Sequence, residues 1–422
     1  MQIELAYGKV GLVLDLSEAW DVTVIEPKYV PGLPDSEAAL RQALEAPLAS
    51  PPLRMLARPG MHIGIVFSDI TRPTPHRLIL PAVLRELESV PELQVTLFNA
   101  LGTHRPNTEA ELREMLGDEL VERYRIVQNN AFERETQTCL GATASGNELW
   151  HNRELLECDL KVLTGFIEPH MFAGFSGGGK ALLPGMAGQS SVLNNHRASL
   201  IADPRATWGV TQGNPIYEEI QQAAGMAGGV FLLNVTLNKH KEITCVFAGD
   251  LAAAHAAGCD FTRETAMVPV LQPFEIVLTG NSGYPLDLNL YQAVKGMSAA
   301  AQIVRPGGAI IIAADCWDGI PEHGRYAQLL RESASPQALL EKIMSSPPGQ
   351  DHWQVQIQAQ VQQKAEVFVY SHNLSDEQVR GALLKPCGDI AGRLGALVKE
   401  YGTRARVCVL PEGPMTIPYL SG

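Results

Sequence analysis

The sequence predicts an α/β protein of two domains, each built from βαβ units. Its 422 residues exceed the length of one ordinary domain, so two domains are expected. From residue 60 onward, short apolar runs alternate with segments of helical periodicity, the pattern of strands joined by crossover helices. Glycine and proline, 38 and 28 residues, separate these segments and mark the loops between them.

The first elements are predicted from alternating and helical patterns near the amino terminus. Apolar residues alternate in three short runs within 3–25, which predicts a small antiparallel start to the fold. Helical spacing follows at 35–58 and is interrupted by two prolines. A strand at Ile63–Phe67, a helix at Leu78–Leu87 and a strand at Val95–Phe98 then form the first βαβ unit.

The same alternation continues through the middle of the chain. A helix is predicted at 107–117, with strands at Tyr124–Val127 and Leu160–Gly165. The strand-like run Val230–Leu237 and the alanine-rich helix Leu251–Cys259 follow. These elements extend the first α/β unit.

A second α/β unit begins after a charged, proline-containing passage at 263–273. A buried strand at Phe274–Leu278 precedes a glycine-containing loop and a helix from Leu288 to Val304. The turn 305–308 then leads into the strand Ala309–Ala314. We therefore expect a domain boundary near the start of this unit.

The predicted domains are an amino-terminal α/β domain at 1–268 and a carboxyl-terminal α/β domain at 269–422. The chain returns to strand-like character at Val407–Leu410. The last roughly 15 residues can pack on either domain, because a local pattern does not show which sheet a terminal strand joins.

The composition excludes several classes of protein. Lys and Arg number 33 against 46 Asp and Glu, a net charge of −13, so no basic surface for nucleic acid or anionic membrane is expected. No secretory signal and no apolar run of ~18 residues is found. Seven cysteines without a C-x-x-C spacing argue against disulfides and a cysteine zinc site. A soluble cytoplasmic protein is the expectation.

The most informative segment is 165–180, where three consecutive glycines precede Lys180. Glycines in such a loop let the backbone approach a ligand closely. Gly174, Gly179 and Lys180 have the spacing of a phosphate-binding P-loop, but Ala181 stands where Ser or Thr would hold Mg²⁺. One hypothesis is therefore a nucleotide-binding protein that uses this loop, a different functional class from an enzyme with a small-molecule substrate. The other interpretation of the segment is an ordinary glycine-rich turn.

Three histidines, His104, His170 and His196, lie in or beside loops that follow predicted elements. Two histidines on opposite faces of a substrate can act as complementary acid and base, and neutral imidazole binds borderline metals. Taken singly, each is more simply an ordinary loop histidine. The other eight are interpreted as structural: His62, His76, His151, His240, His255, His323, His352 and His372.

Two further groups of polar residues are suited to an anionic ligand. Asp69, Thr71 and Arg72 follow a strand, and the Arg72 guanidinium can donate two parallel hydrogen bonds. An ordinary proline-capped turn is the alternative there. Gln292 and Lys295 lie three apart on a predicted helix and so share a face, which suits a carboxylate unless the face is simply solvated.

Five segments together resemble the nickel-pincer lactate racemase family, the LarA-type 2-hydroxyacid racemases and epimerases. They occur in the order and at the separations typical of the family, and the resemblance covers nearly the whole chain. The segments are SDITRPTP at 68–75, GTHR at 102–105, EPHMFAGFSGGGK at 168–180, NNHR at 194–197 and YQAVKG at 291–296.

The resemblance implies a cofactor. This is nickel(II) pyridinium-3,5-bisthiocarboxylic acid mononucleotide, the nickel-pincer nucleotide, attached covalently through Lys180. His196 is implied as the ligand that the protein supplies to nickel in a square-planar centre, a geometry that suits Ni(II). Contacts with the cofactor are implied for Asp69, Ile70, Thr71 and Arg72.

The resemblance also implies racemisation or epimerisation at C2 of a 2-hydroxy acid. Hydride would pass to the cofactor while His104 or His170, one for each enantiomer, takes the hydroxyl proton. The resulting 2-keto acid is planar at C2, so return of hydride to either face gives either enantiomer. Substrate-binding roles are implied for Arg72, Tyr291, Gln292, Lys295 and Trp353.

Several alternatives stay open at this point. The substrate is lactate or another small apolar 2-hydroxy acid, or else a larger one such as malate, an aromatic hydroxy acid or a sugar acid. Metal-free proton abstraction by two histidines would leave Lys180 and His196 without a task. A further hypothesis is a non-catalytic or cofactor-less relative that only binds small hydroxy acids.

The remaining expectations concern partners and the place of the active site. Enzymes of cofactor biosynthesis are implied as partners, and the oligomeric state is open. Ligands of open α/β sheets bind beyond the carboxyl ends of the strands, so the loops at 68–73, 99–106, 165–180 and 279–283 are candidates to converge on one site. The active site is expected in the cleft between the two domains.

Overall fold

A computed structural model describes residues 1–322 and 324–421, so His323 lies outside the described residues. The chain forms two compact units. The amino-terminal unit comprises Tyr29–His196 and Asp203–Arg263. The carboxyl-terminal unit comprises Met1–Lys28, Arg197–Ala202 and the chain from Glu264 onward.

Within the described residues, the strands of seven or more residues all lie in two six-stranded sheets. They are β1 (Gln2–Leu5), β2 (Leu12–Asp15), β3 (Asp21–Val24), β4 (His62–Ser68), β5 (Gln94–Ala100), β6 (Arg125–Gln128), β7 (Gln137–Ala142), β8 (Glu148–Asn152), β9 (Leu160–Phe166), β10 (Pro169–His170), β11 (Gly174–Phe175), β12 (Val230–Leu237), β13 (Ile243–Gly249), β14 (Met267–Val270), β15 (Phe274–Thr279), β16 (Val304–Ala313), β17 (Ala365–Tyr370), β18 (Lys385–Pro386), β19 (Arg406–Leu410) and β20 (Ile417–Leu420).

The helices connect these strands, and several begin at a side-chain cap. They are α1 (Ser36–Glu45), α2 (Leu53–Leu56), α3 (His76–Leu87), α4 (Glu109–Leu116), α5 (Asp118–Arg123), α6 (Arg153–Leu156), α7 (Gln189–Asn195), α8 (Ala198–Ile201), α9 (Pro215–Ala227), α10 (Leu251–Ala266), α11 (Leu290–Ala301), α12 (Tyr326–Arg331), α13 (Pro336–Met344), α14 (His352–Lys364), α15 (Asp376–Gly381) and α16 (Ile390–Tyr401), with 3₁₀ turns at Arg134–Thr136, Gly178–Ala181 and Gly413–Met415.

The amino-terminal unit is built on a six-stranded sheet of order β13-β12-β9-β4-β5-β6. All neighbouring pairs are parallel except β12 and β13. Every residue of β9 is buried, as expected for a central strand covered on both faces. The loops after β4, β5 and β9 therefore emerge at one edge of this sheet, where polar residues can meet.

The carboxyl-terminal unit contains a second six-stranded sheet, of order β18-β17-β16-β15-β19-β3, parallel throughout. A hydrophobic core that includes Ile276, Leu278 and Val407 lies against it. One mainly parallel sheet and one parallel sheet, both with crossover helices, confirm the predicted α/β fold class.

The observed units differ from the predicted domains 1–268 and 269–422 at the amino terminus. Residues Met1–Lys28 pack in the carboxyl-terminal unit, because β3 extends its sheet by pairing in parallel with β19, with Val22 opposite Val407. Local sequence shows that a strand forms but not which distant edge it joins. The end of the chain lies in the same unit, where β20 pairs with β14.

Most predicted elements are present, with differences in detail. The first two runs of the alternating start form the antiparallel pair β1–β2, as predicted, whereas its third run forms β3, which pairs in parallel with β19. The turn expected at 305–308 instead lies within β16, where the register with β15 shifts between Phe274 and Ile276. The helical region 35–58 divides into α1 and α2.

Among the described residues, no helix is both long enough and apolar enough to cross a bilayer.

Candidate active site

The loop after β4 is held in a tight turn by Asp69, which is buried. Its Oδ1 accepts a hydrogen bond from Thr71 Oγ1 at 2.6 Å, and its carbonyl accepts one from the Arg72 N–H at 3.1 Å. Burial alone would raise the pKa of Asp69, but the hydrogen bond with His104 and the charge of Arg72 outweigh it and lower the pKa. Ile70 lies in the same turn, half-buried.

His104 is oriented by this carboxylate. Its Nδ1 lies 2.6 Å from Asp69 Oδ2. An ionised carboxylate only accepts hydrogen bonds, so Nδ1 carries the proton and Nε2 of the neutral ring keeps its lone pair. The side chain is 48% exposed, so the ring is accessible to a substrate. This arrangement suits a general base.

The loop of His104 is tied to the loop of Lys180 by the backbone. The Gly102 N–H donates to the Gly185 carbonyl at 2.8 Å, and the Gly185 N–H donates to the Lys180 carbonyl at 3.0 Å. The sequence shows only the order of these two loops along the chain. The hydrogen bonds hold them next to each other in the amino-terminal unit.

His170 lies at the end of β10, which pairs with β11 in a short hairpin whose strands are two residues each. Its Nδ1 accepts a hydrogen bond from the Ala173 N–H at 3.2 Å and a longer one from the Phe172 N–H at 3.5 Å. The ring is therefore held by the turn that follows it.

Phe172 connects three of the predicted site residues. Its ring centroid lies 4.5 Å from that of His170 and 5.0 Å from that of His196. Lys180 Nζ lies 5.8 Å from the same centroid. Sequence reasoning did not single out Phe172, because a buried aromatic in a motif gives no signal of its own.

The glycines before Lys180 pack closely against protein atoms. The Gly178 N–H donates to Asn234 Oδ1 at 2.7 Å, and a Cβ on Gly178 would lie 2.7 Å from the His255 ring. Gly178 also has φ +55°, and a Cβ on Gly177 would lie 2.6 Å from Asn234 Oδ1. The sequence suggested that the glycines admit a ligand, whereas at these two positions the backbone approaches its own protein.

His255 supports this loop from the protein interior. The buried ring donates from Nε2 to the Ser176 carbonyl at 2.9 Å, and the Tyr217 hydroxyl lies 3.2 Å from Nδ1. Burial lowers the pKa of His255. The sequence predicts a structural role for His255, but it does not show that the ring lies beneath this loop. Asn234 did carry a signal, since it is polar within the apolar run of β12.

His196 follows directly after α7 and is buried. Burial, with a smaller effect of the nearby Lys180 charge, lowers the pKa of His196 to about 3. The imidazole is therefore neutral near pH 7, the form that binds metals. The preceding Asn195 donates to the buried Glu219 carboxylate at 2.7 Å, which anchors this end of the helix.

The remaining predicted residues lie in the carboxyl-terminal unit. Trp353 Nε1 donates to the Tyr291 hydroxyl at 3.0 Å, so these two predicted aromatics contact each other. Gln292 and Lys295 are half-buried and one turn apart on α11, as expected. The α11 cap, Asn289, accepts a hydrogen bond from the Gln292 N–H at 3.1 Å.

Both halves of the chain match models of one protein family. The family described as the lactate racemase N-terminal domain matches residues 7–209, and the lactate racemase C-terminal domain matches 271–417. A curated lactate racemase of Thermoanaerobacterium thermosaccharolyticum is 36% identical over 422 residues, covering 98% of each chain. One of Lactiplantibacillus plantarum is 35% identical over 381 residues, 89% of each chain.

Solved structures extend this similarity to the fold. The lactate racemase apoprotein of T. thermosaccharolyticum has a TM-score of 0.93 at 36% identity, covering 99% of this chain and 100% of that one. A Thermotoga maritima protein, with a TM-score of 0.70 at 19% identity, covers 93% of this chain and 100% of that one, and shares the fold. The chain therefore belongs to the lactate racemase family and is an isomerase.

Proposed function

We propose that this isomerase racemises lactate, or another small apolar 2-hydroxy acid, at C2. The observation that carries the proposal is the Asp69–His104 pair, at 2.6 Å, which presents a base at Nε2. The same unit gathers His170, Lys180 and His196 around Phe172. The relatives named lactate racemases support the choice of substrate.

The cofactor that we propose is the nickel-pincer nucleotide, attached through Lys180 with His196 as the ligand to nickel. Within residues 1–322 and 324–421, no group of three or more His, Cys, Asp or Glu side chains could hold a metal ion. One buried neutral imidazole fits a metal that arrives with its other donors already in place. When bound, this group would supply the acceptor and donor of hydride at the substrate C2.

The residues of the chain bind the substrate and move its proton. In this proposal His104 Nε2 accepts the hydroxyl proton, and the Arg72 and Lys295 cations hold the carboxylate while C2 is planar. Gln292, on the same face of α11 as Lys295, orients the bound acid. Asp69, Ile70 and Thr71 complete the turn that we assign to cofactor contact.

The aromatic pair supports a small substrate. The Tyr291 and Trp353 side chains are joined by a hydrogen bond, and Trp353 is only 8% exposed. Such a pair favours an apolar substituent over the second carboxylate of malate or the hydroxyls of a sugar acid. Larger 2-hydroxy acids remain the alternative within the same reaction class.

The P-loop alternative has little support. A P-loop places its glycines between a strand and the amino terminus of a helix that binds phosphate. Here Lys180 lies in the short 3₁₀ turn Gly178–Ala181, which follows the hairpin of β10 and β11.

The test is chiral analysis of a panel of 2-hydroxy acids in D₂O. The protein is co-produced with the cofactor-building enzymes, supplied with nickel, and checked by intact mass for the adduct on Lys180. Inversion of lactate without deuterium at C2 is the expected result. Deuterium at C2 would contradict hydride transfer, and no inversion of any acid by adduct-carrying protein would reject the reaction.

A further inference from the structure

We infer that the two site histidines are held in opposite tautomers, so that His104 is the proton acceptor of the resting enzyme and His170 a hydrogen-bond donor. The catalytic meaning of this inference rests on the proposed function. The tautomers themselves are properties of the chain and can be measured without cofactor or substrate.

The tautomer of His104 follows from its partner. Asp69 is buried, and its Oδ1 is already engaged by Thr71 Oγ1 at 2.6 Å. The other oxygen, Oδ2, lies 2.6 Å from His104 Nδ1. A carboxylate can only accept here, so the neutral ring carries its proton on Nδ1. Nε2 is then an acceptor, and taking up a proton leaves the bond with Asp69 intact.

The tautomer of His170 follows from the opposite kind of partner. The N–H groups of Phe172 and Ala173 both point at His170 Nδ1, at 3.5 and 3.2 Å. Backbone amides can only donate, so Nδ1 must be bare and the neutral ring carries its proton on Nε2. His170 therefore presents a donor where His104 presents an acceptor.

The turn that imposes this tautomer is itself constrained. His170 pairs with Gly174 across the hairpin, which directs the intervening amides back towards the ring. Gly174 has φ +74°, and a Cβ there would lie 2.2 Å from the Val210 carbonyl oxygen. For His170 to accept a proton at Nε2, its own proton must move to Nδ1, and both amides would lose their acceptor.

The two histidines are therefore unequal at the start of a turnover. An enantiomer whose hydroxyl faces His104 can react from the resting form, whereas one whose hydroxyl faces His170 requires Nδ1 of that ring to release the Phe172 and Ala173 amides first. Because enantiomers have equal free energies, kcat/KM must be equal in the two directions. The difference between the two histidines therefore appears as different kcat values and different KM values for the two enantiomers.

The direct test is nitrogen NMR of the histidine rings. Protein with ¹⁵N-labelled histidine is recorded without cofactor at about pH 9, above the ordinary histidine pKa of about 6.5. His104→Gln and His170→Gln assign the signals. We expect the shift of a bare nitrogen at Nε2 of His104 and at Nδ1 of His170. The same tautomer in both rings would overturn the inference.

Asp69→Asn provides the matched perturbation. The Asn amide can donate to Nδ1, which places the proton of His104 on Nε2, as in a triad whose Asp is replaced. The bare-nitrogen signal of His104 should move to Nδ1, with a loss of kcat on the order of 10²–10⁴-fold in loaded enzyme. Asp203→Asn, at a carboxylate paired with Arg205, should change neither tautomer.

These outcomes separate the inference from the proposed function. Opposite tautomers without racemisation would leave the inference standing and reject the function. Racemisation with identical tautomers, or with an unchanged His104 signal in Asp69→Asn, would reject the inference and leave the proposed function standing.

Discussion

His255 shows how a single residue outside the substrate region can control the site. Its Nε2–H holds the Ser176 carbonyl at 2.9 Å, and its ring occupies the space that a side chain on Gly178 would need. The loop that carries Lys180 therefore keeps its path because a buried imidazole lies beneath it. This positioning depends on the hydrogen bond from His255 Nε2 to the Ser176 carbonyl and on the fit of the imidazole ring against Gly178.

Replacing His255 with Ala should loosen the Lys180 loop. The Ser176 carbonyl would lose its donor, at a cost of about 1–3 kcal/mol in unfolding free energy. The fraction of chains carrying the adduct on Lys180 should fall, as read by intact mass. Tyr217→Phe removes only the hydroxyl on the other ring nitrogen and should keep the adduct. Full adduct in His255→Ala would contradict the positioning role.

Tyr291 is the residue at which we expect substrate size to be controlled. Tyr291→Ala should raise kcat/KM for larger 2-hydroxy acids relative to lactate by about tenfold, because a pocket wall is removed. The ranking of a substrate panel measures this. Tyr291→Phe loses only the hydroxyl that accepts from Trp353, and should keep the wild-type ranking. An unchanged ranking in Tyr291→Ala would reject the assignment.

At the level of elements, local backbone geometry constrains the β10–β11 hairpin. Its two strands are only two residues each, so the turn between them positions His170. Gly174 follows that turn in a left-handed conformation against the Val210 carbonyl. A hairpin this short has little sequence signature, which is why sequence analysis identified the motif but not the element.

Gly174→Ala should damage this hairpin by crowding. The left-handed φ of +74° costs any L-residue on the order of 1 kcal/mol, and the clash with Val210 adds about 1–3 kcal/mol. Gly60 has a similar φ of +83° but open space around a Cβ, so Gly60→Ala should show the first cost alone. Urea unfolding of both variants measures the difference. Equal destabilisation would show that the Val210 contact does not matter.

At the scale of the whole molecule, buried neutral histidines make stability depend on pH. Burial lowers the pKa of His151 to about 4, against about 6.5 in an unfolded chain. As the pH falls, the unfolded state binds the proton first. The stability that this histidine confers is therefore complete above pH 6.5 and is lost as the pH falls towards 4.

His151→Leu should flatten this dependence. Wild-type protein should lose about 2 kcal/mol more unfolding free energy than the variant between pH 7 and pH 5, from this group alone. Urea unfolding at the two pH values gives the comparison. His240 is exposed, so His240→Leu should retain the wild-type slope. A slope unchanged in His151→Leu would mean that other groups carry the acid sensitivity.

The sequence by itself determined the α/β class, most of the elements and the family. Apolar runs of strand length and helical spacing are local properties, so β4, α3 and β5 could be predicted within a few residues. The motifs around His104 and Lys180 were likewise readable, because their residue types and spacing are contiguous in the chain.

Only the tertiary structure decided how these pieces meet. Val22 pairs with Val407, and Asp69 holds a histidine 35 residues further on, contacts that no local pattern encodes. The opposite partners of the two site histidines, a carboxylate and a backbone amide, are also set by packing. Hydrogen bonds depend on position in space, and that position is fixed by the sheet edges and buried turns that bring distant segments together.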